Sequence, residues 1–234
     1  MLSIYKRELA SYFTTPIGYI FCAVFLALSG AVFSYTTLFS MKADVTTYFT
    51  YMLVMLLVLI PLLTMKLFSE ERKQKTEQLL LTAPVSLYGM VAGKFLAAYT
   101  LFAGCTLLSF CSFFLLYLYA DVKSAVLFGN LLAILLLGMA FVAIGLFVSA
   151  LTENQLAAAV GTVAILLALM LISLLNSIIP VYWIRFVLSS ISVFARYQNF
   201  TQGVFDIAAI LYYLTMTAVF LFLTVRVFDK RRWG

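Results

Sequence analysis

The chain alternates long apolar runs with short polar turns. Six runs, at 17–39, 48–65, 95–119, 125–151, 156–175 and 207–225, are each long enough to cross a bilayer as a helix, for which about 20 apolar residues suffice. None has a charged residue at its centre. Ahead of the first run, Leu2, Tyr5, Leu9 and Tyr12 recur at 3–4–3 spacing, with Ser3, Lys6, Arg7 and Ser11 off that stripe. This predicts an amphipathic helix within 1–16, lying in the membrane surface and ending before Pro16. The turns at 120–124 and 152–155 are so short that the runs on either side must be antiparallel neighbours. Gly129, Gly138 and Gly145 in the fourth run, and Ala157 and Gly161 in the fifth, permit close helix packing. Pro61 is expected to bend the second run near its end. Residues 176–206, with Pro180, Trp183, Arg185, Arg196 and Gly203, are too interrupted to cross, and read as short helices at the outer surface.

One stretch breaks the pattern. Lys66 to Lys94, KLFSEERKQKTEQLLLTAPVSLYGMVAGK, carries eight of the 24 formal charges. Glu70 to Leu81 has helical spacing and stops at Ala83-Pro84, where proline cannot continue a helix. A helix with a defined stop points to a structured loop that meets a soluble partner, rather than to a solvated linker. Within it, Gly89 to Phe95 (GMVAGKF) approximates the phosphate-binding pattern G-x-x-x-x-G-K-[ST]. One spacer is missing, Phe95 replaces the Mg²⁺-binding hydroxyl, and no strand precedes it, so it is not read as a nucleotide site. Lys94 is expected to snorkel to the inner interface, and Gly89 and Gly93 to let the third span start close to a neighbouring helix.

Composition narrows the class. The 234 residues are 65% hydrophobic and 10% charged, against roughly 25% charged in soluble domains. This is a membrane protein with no room for a soluble catalytic domain. The absence of histidine removes His-based proton relays, His metal sites and Ser-His-Asp catalysis. The lack of mid-span acids and bases argues against ion-coupled transport and against an intramembrane enzyme, so energy has to come from outside the chain. Cys22, Cys105 and Cys111 lie in apolar runs and read as buried free thiols rather than a disulfide framework. Glu8 and the long run after it argue against a cleaved signal peptide.

The net charge of +6 reports topology, not nucleic-acid binding, because the cations sit at the ends of apolar runs. With both termini inside, the inner segments hold eleven Lys and Arg residues and the outer segments four. That is a positive-inside pattern with both ends cytoplasmic. The fold expected is therefore all-α and polytopic, a single domain with six transmembrane helices.

At the charged stretch the chain resembles the permease subunits of ABC-2-type transporters. The carrying residues are Ser69-Glu70-Glu71-Arg72, Lys75-Thr76-Glu77-Gln78-Leu79-Leu80, Pro84-Val85-Ser86 and Gly93-Lys94, with Lys75 where the family core usually has Gly. Lys6-Arg7-Glu8-Leu9, Thr15-Pro16-Ile17-Gly18-Tyr19, Gln202-Gly203-Val204-Phe205-Asp206 and Arg231-Arg232-Trp233 resemble its gliding-motility and nitrous-oxide-reductase-maturation branch. The resemblance implies a multi-pass subunit of a prokaryotic cytoplasmic membrane, pairing with a second permease copy or a related permease. It implies a cytoplasmic ABC ATPase that binds ATP and Mg²⁺, this chain holding no cofactor and no metal. A membrane-anchored auxiliary subunit is a further expectation. By position, Glu70, Glu71, Arg72, Thr76, Glu77 and Leu80 would form the coupling helix that contacts the ATPase. Glu153 and Asn154 would be a secondary inner contact, Pro84 and Gly93 the hinge, and the short outer helices between spans 5 and 6 would cap the pathway. Charge reversal at Glu71 or Glu77 is expected to uncouple ATP hydrolysis from transport with the fold intact. An ATP-independent channel or carrier, and a non-transporting membrane anchor, are the alternative readings.

Overall fold

The computed structural model describes residues 2–40, 45–76, 86–114, 124–178, 192–201 and 206–233. Glu77, Leu80 and Pro84 lie outside the described residues, as do 179–191 and 202–205. The described residues form α-helices α1 (Leu2–Thr14), α2 (Pro16–Phe33), α3 (Val45–Thr64), α4 (Ser69–Lys73), α5 (Leu87–Phe110), α6 (Ser124–Leu151), α7 (Gln155–Ile178), α8 (Val193–Thr201) and α9 (Ile207–Trp233), with no strand among them. Among the described residues, six helical segments are long and apolar enough to cross a membrane: Pro16–Phe39, Val45–Lys73, Leu87–Phe114, Ser124–Leu151, Gln155–Asn176 and Ile207–Arg232. The chain is a multi-pass membrane protein whose described elements are all helical.

Helix α6 is the centre of the bundle, touching α3, α5, α7, α8 and α9. It is apolar on every side, and its residues Ala140 to Leu146 are buried without a break, as expected for a helix with no polar face. Its glycines let neighbours approach: a Cβ on Gly138 would stand 2.2 Å from the Phe102 ring, and one on Gly145 2.2 Å from the Thr64 Oγ1. Of the small-residue face of α7, Gly161 packs within the chain, a Cβ there falling 3.1 Å from Val148, while Ala157 is exposed. Large apolar side chains are instead exposed on the outer faces of α2, α3 and α7, among them Ile20, Val24, Val58, Leu167 and Leu171. Such a surface suits lipid rather than water.

The N-terminal segment folds back on the bundle. Thr15 is extended and Pro16 takes the first position of α2, where its missing N–H costs nothing. A Cβ on Gly18 would stand 2.2 Å from the Tyr12 carbonyl oxygen, so this corner closes only with glycine. Helix α1 thereby lies against α2 and α5. Tyr5, Leu9 and Tyr12 of the expected apolar stripe pack on the core, Ile4 joins them, and Leu2 stays exposed.

The expected helix over Glu70–Leu81 takes a different form. Helix α4 ends at Lys73, and Lys75 adopts a left-handed backbone, φ 56°. The amide of Thr76 donates to the Glu71 carbonyl at 3.0 Å and that of Lys75 to Arg72 at 3.1 Å, the paired bonds of a Schellman stop. The position where the family usually has Gly is the one that needs a positive φ. Helix α5 begins earlier than Phe95, capped by the Ser86 side chain, which accepts from the Gly89 amide at 3.2 Å. Gly93 and Lys94 therefore lie inside a helix.

Candidate functional site

The charged stretch is fastened to the bundle at three points. The first is Lys94, whose side chain is only 2% exposed. Its Nζ donates to the Leu67 carbonyl at 2.8 Å and to Glu71 Oε1 at 2.8 Å, lies 3.3 Å from Glu8 Oε2, and sits 5.1 Å from the centre of the Phe68 ring. An ammonium has three donors, and three oxygens surround this one. Lys94 does not snorkel. It joins α5 to α4 through Glu71 and to α1 through Glu8, because the fold-back of α1 closes over it before it can reach water. Arg7 adds a contact of 2.8 Å to Glu8 Oε1, worth little at its 57% exposure.

The second point is Arg72. Its guanidinium donates to the Leu151 carbonyl at 2.9 Å and pairs with Glu153 Oε1 at 2.8 Å. This ties α4 to the turn between α6 and α7. Asn154 in the same turn is occupied within its own chain: its Oδ1 accepts from the Leu156 amide at 3.0 Å, capping α7.

The third point is Ser149, fully buried on α6. Its hydroxyl accepts from the amides of Phe68 and Ser69, at 3.1 and 3.2 Å, and donates to the Met65 carbonyl at 3.3 Å. These groups belong to the break between α3 and α4, where helical bonding lapses, and one side chain satisfies three of them. Beside it, Phe68 packs on Phe228 of α9 with ring centres 4.6 Å apart, and Arg231 donates to the Ala150 carbonyl at 2.7 Å.

Between α1, the 66–76 segment and the start of α5 lies a cleft of about 660 Å³, lined by Arg7, Glu8, Tyr12, Lys66, Glu70, Glu71 and Lys94 among others. Burial, with the Glu8 carboxylate adding to it, pushes the Tyr12 phenol well above its ordinary value, so Tyr12 itself stays neutral. Glu8 and Glu71 converge on an ammonium that occupies the place a divalent cation would need.

Of the expected coupling residues, Glu71 and Arg72 point into these fastenings, Glu70 pairs loosely with Lys66 at 4.0 Å, and the Thr76 hydroxyl caps the Glu71 carbonyl at 3.2 Å. Among the described residues of the 66–76 segment the side chains left exposed are Lys73, Gln74 and Lys75, none of them among the expected contact residues. Glu8, Lys94 and Ser149 were also not legible as a site. The pairing of Glu8 with Lys94 depends on the Gly18 corner, and no local spacing announces it.

Replacing Lys75 with glycine should relieve the left-handed backbone and stabilise the fold by about 0.5–1 kcal/mol. Lys75→Val, branched at Cβ, should do the opposite. Thermal unfolding midpoints in detergent that move the same way for both variants would refute this account of the stop.

Residues 21–233 match the family model described as ABC-2 family transporter protein. Helix α1 and the Thr15–Tyr19 corner, which supply Glu8, Tyr12 and Gly18, precede the matched region. No curated protein matches the chain significantly.

Proposed function

The chain belongs to the ABC-2 family of transporter proteins, and from that premise we propose that it is the permease subunit of an ATP-binding cassette transporter powered by a separate cytoplasmic ATPase. Members of this family are the membrane components of transporters. The observation that carries the reading is the triple fastening of α4: an exposed tip, Lys73-Gln74-Lys75, stands on a base joined to α1, α5, α6 and the α6–α7 turn. A rigid element of this kind transmits a push, whereas a free linker absorbs it.

In this reading the ATPase binds ATP and Mg²⁺ and docks on the tip, with Glu70, Thr76, Glu77 and Leu80 flanking the contact. Closure of the ATPase presses α4 inward. Glu71 passes the movement to Lys94 and α5, and Arg72 passes it through Glu153 to the α6–α7 turn. Pro84 and Gly93 serve as the hinge. The eleven-to-four distribution of Lys and Arg supports a cytoplasmic location for this end and both termini. Helix α1 then lies at the inner surface of a prokaryotic cytoplasmic membrane, and the helices between the last two spans cap the pathway outside. A second copy or a related permease completes the pathway. The opening and closing motifs favour the gliding-motility and nitrous-oxide-reductase-maturation branch, and with it an auxiliary membrane-anchored subunit.

Placing Glu71 at the base changes the expected outcome of its reversal: Glu71→Lys would set a second cation beside Lys94 and disturb the fold. Lys73 and Lys75 are the residues to reverse. A direct test uses Gln74→Cys in a chain whose three native cysteines are serine, treated with a thiol-to-amine cross-linker in membranes that also contain the ATPase. Capture of the ATPase from position 74, and none from a chain keeping only Cys111, is the expected result. Capture from neither position, or equally from both, would remove the assignment of the tip.

A further inference from the structure

We infer that Cys22 and Cys105 form a dithiol site that closes to an intrachain disulfide, linking α2 to α5. The two residues are 83 positions apart in sequence, yet their sulfur atoms are 3.2 Å apart, with the Cys105 thiol directed at Cys22. The pair is set in packed structure: one turn away on each helix, the Phe25 and Phe102 rings meet edge to face at 6.1 Å. Cys105 is buried, whereas Cys22 is partly exposed, so one thiol of the two can be reached from outside the bundle. Cys111 is the natural contrast. It is exposed, and its thiol is directed at the Leu107 carbonyl, at 3.7 Å, rather than at another sulfur.

Closing the pair forms one sulfur–sulfur bond and breaks two S–H bonds, and the two protons and two electrons pass to an acceptor. Both cysteines lie within apolar helices of membrane-crossing length, so the acceptor has to be lipid-soluble and take two electrons. A quinone, which leaves as its quinol, meets both requirements. The approach still needed is from 3.2 Å to the roughly 2.05 Å of a disulfide bond.

The consequence for transport rests on the reading proposed above. Helix α5 carries Lys94 and so receives the movement of the charged tip. A covalent tie from α5 to α2 would hold it still, and oxidation would silence the transporter reversibly.

The test uses membranes containing the full chain and its ATPase, treated with a fully substituted benzoquinone, which cannot add thiols to its ring. Mass spectrometry of the digested chain should find a Cys22–Cys105 linked peptide, lost with dithiothreitol. The link should be absent in Cys22→Ser and Cys105→Ser and present in Cys111→Ser. If both thiols remain open to alkylation after oxidation and denaturation, or link only between chains, the inference is wrong. ATP hydrolysis by the complex is then measured on the same oxidised sample. A several-fold fall that dithiothreitol reverses supports both the site and the lock. A disulfide that forms with hydrolysis unchanged leaves the site standing and rejects α5 as the moving element.

Discussion

Lys94→Met is expected to cost the fold about 3–5 kcal/mol, the penalty for removing one partner of a buried ion pair. The methionine matches the lysine stem in length, so packing is nearly preserved and charge alone is lost. Glu71 and Glu8, at 20% and 13% side-chain exposure, would then share only the exposed Arg7, 2.8 Å from Glu8 Oε1 and 4.0 Å from Glu71 Oε1, and the Leu67 carbonyl would lose its buried ammonium donor. The triple variant Lys94→Met, Glu71→Gln, Glu8→Gln separates this account from a packing defect. With those three charges gone, much of the loss should be recovered, because the one ion left, Arg7, is 57% exposed and solvated. Thermal unfolding in detergent reads both. A single variant within about 1 kcal/mol of the natural protein would mean that the node is solvated and holds nothing together.

Gly145→Ala is expected to destabilise by about 1–3 kcal/mol through overpacking. The added Cβ would stand 2.2 Å from the Thr64 Oγ1 and 2.8 Å from the Thr64 Cβ. Thr64 is fully buried, and its hydroxyl is tied to the Ile60 carbonyl at 3.0 Å, so it cannot swing clear. Helix α3 must move off α6 instead. Ser149 lies one helical turn further along the same face of α6, so the separation would also stretch its bonds to Met65, Phe68 and Ser69. Adding Thr64→Ala should recover only part of the stability, because the Cβ contact survives. Gly30→Ala is the internal control. Nothing lies within 4 Å of a Cβ there, and the midpoint of unfolding should hold or rise. Equal losses at both glycines would refute the close-approach account.

The spans were legible because a bilayer imposes one dominant rule: runs of about 20 residues without charge. The charged stretch stood out by the same contrast, and the serine after Pro84-Val85 already had the residue type of a helix N-cap. Lys75 was legible only as a departure from a family glycine, and its left-handed φ supplies the reason. What could not be read was anything requiring two distant segments to meet. Lys94 looked like a snorkelling lysine because the sequence does not say that α1 folds back over it. Glu71 looked like a surface residue for the same reason. Cys22 and Cys105 gave no spacing signal, since 83 residues and a helix packing separate them. The π-helical turn at Ser34–Phe39 had no sequence mark either, and nothing in its surroundings explains it.

In the proposed reading, an ATPase grips this permease at the exposed tip of the fastened α4. The measurement that meets it most directly is a mild-detergent pull-down of the tagged chain expressed with its genomic neighbours, alongside the Lys73→Glu, Lys75→Glu variant. A soluble ATPase should co-purify with the natural chain and be lost with the variant, whose unfolding midpoint stays unchanged because neither lysine side chain makes a fastening. An intact chain that purifies alone, or a variant that keeps its ATPase in full, would contradict it.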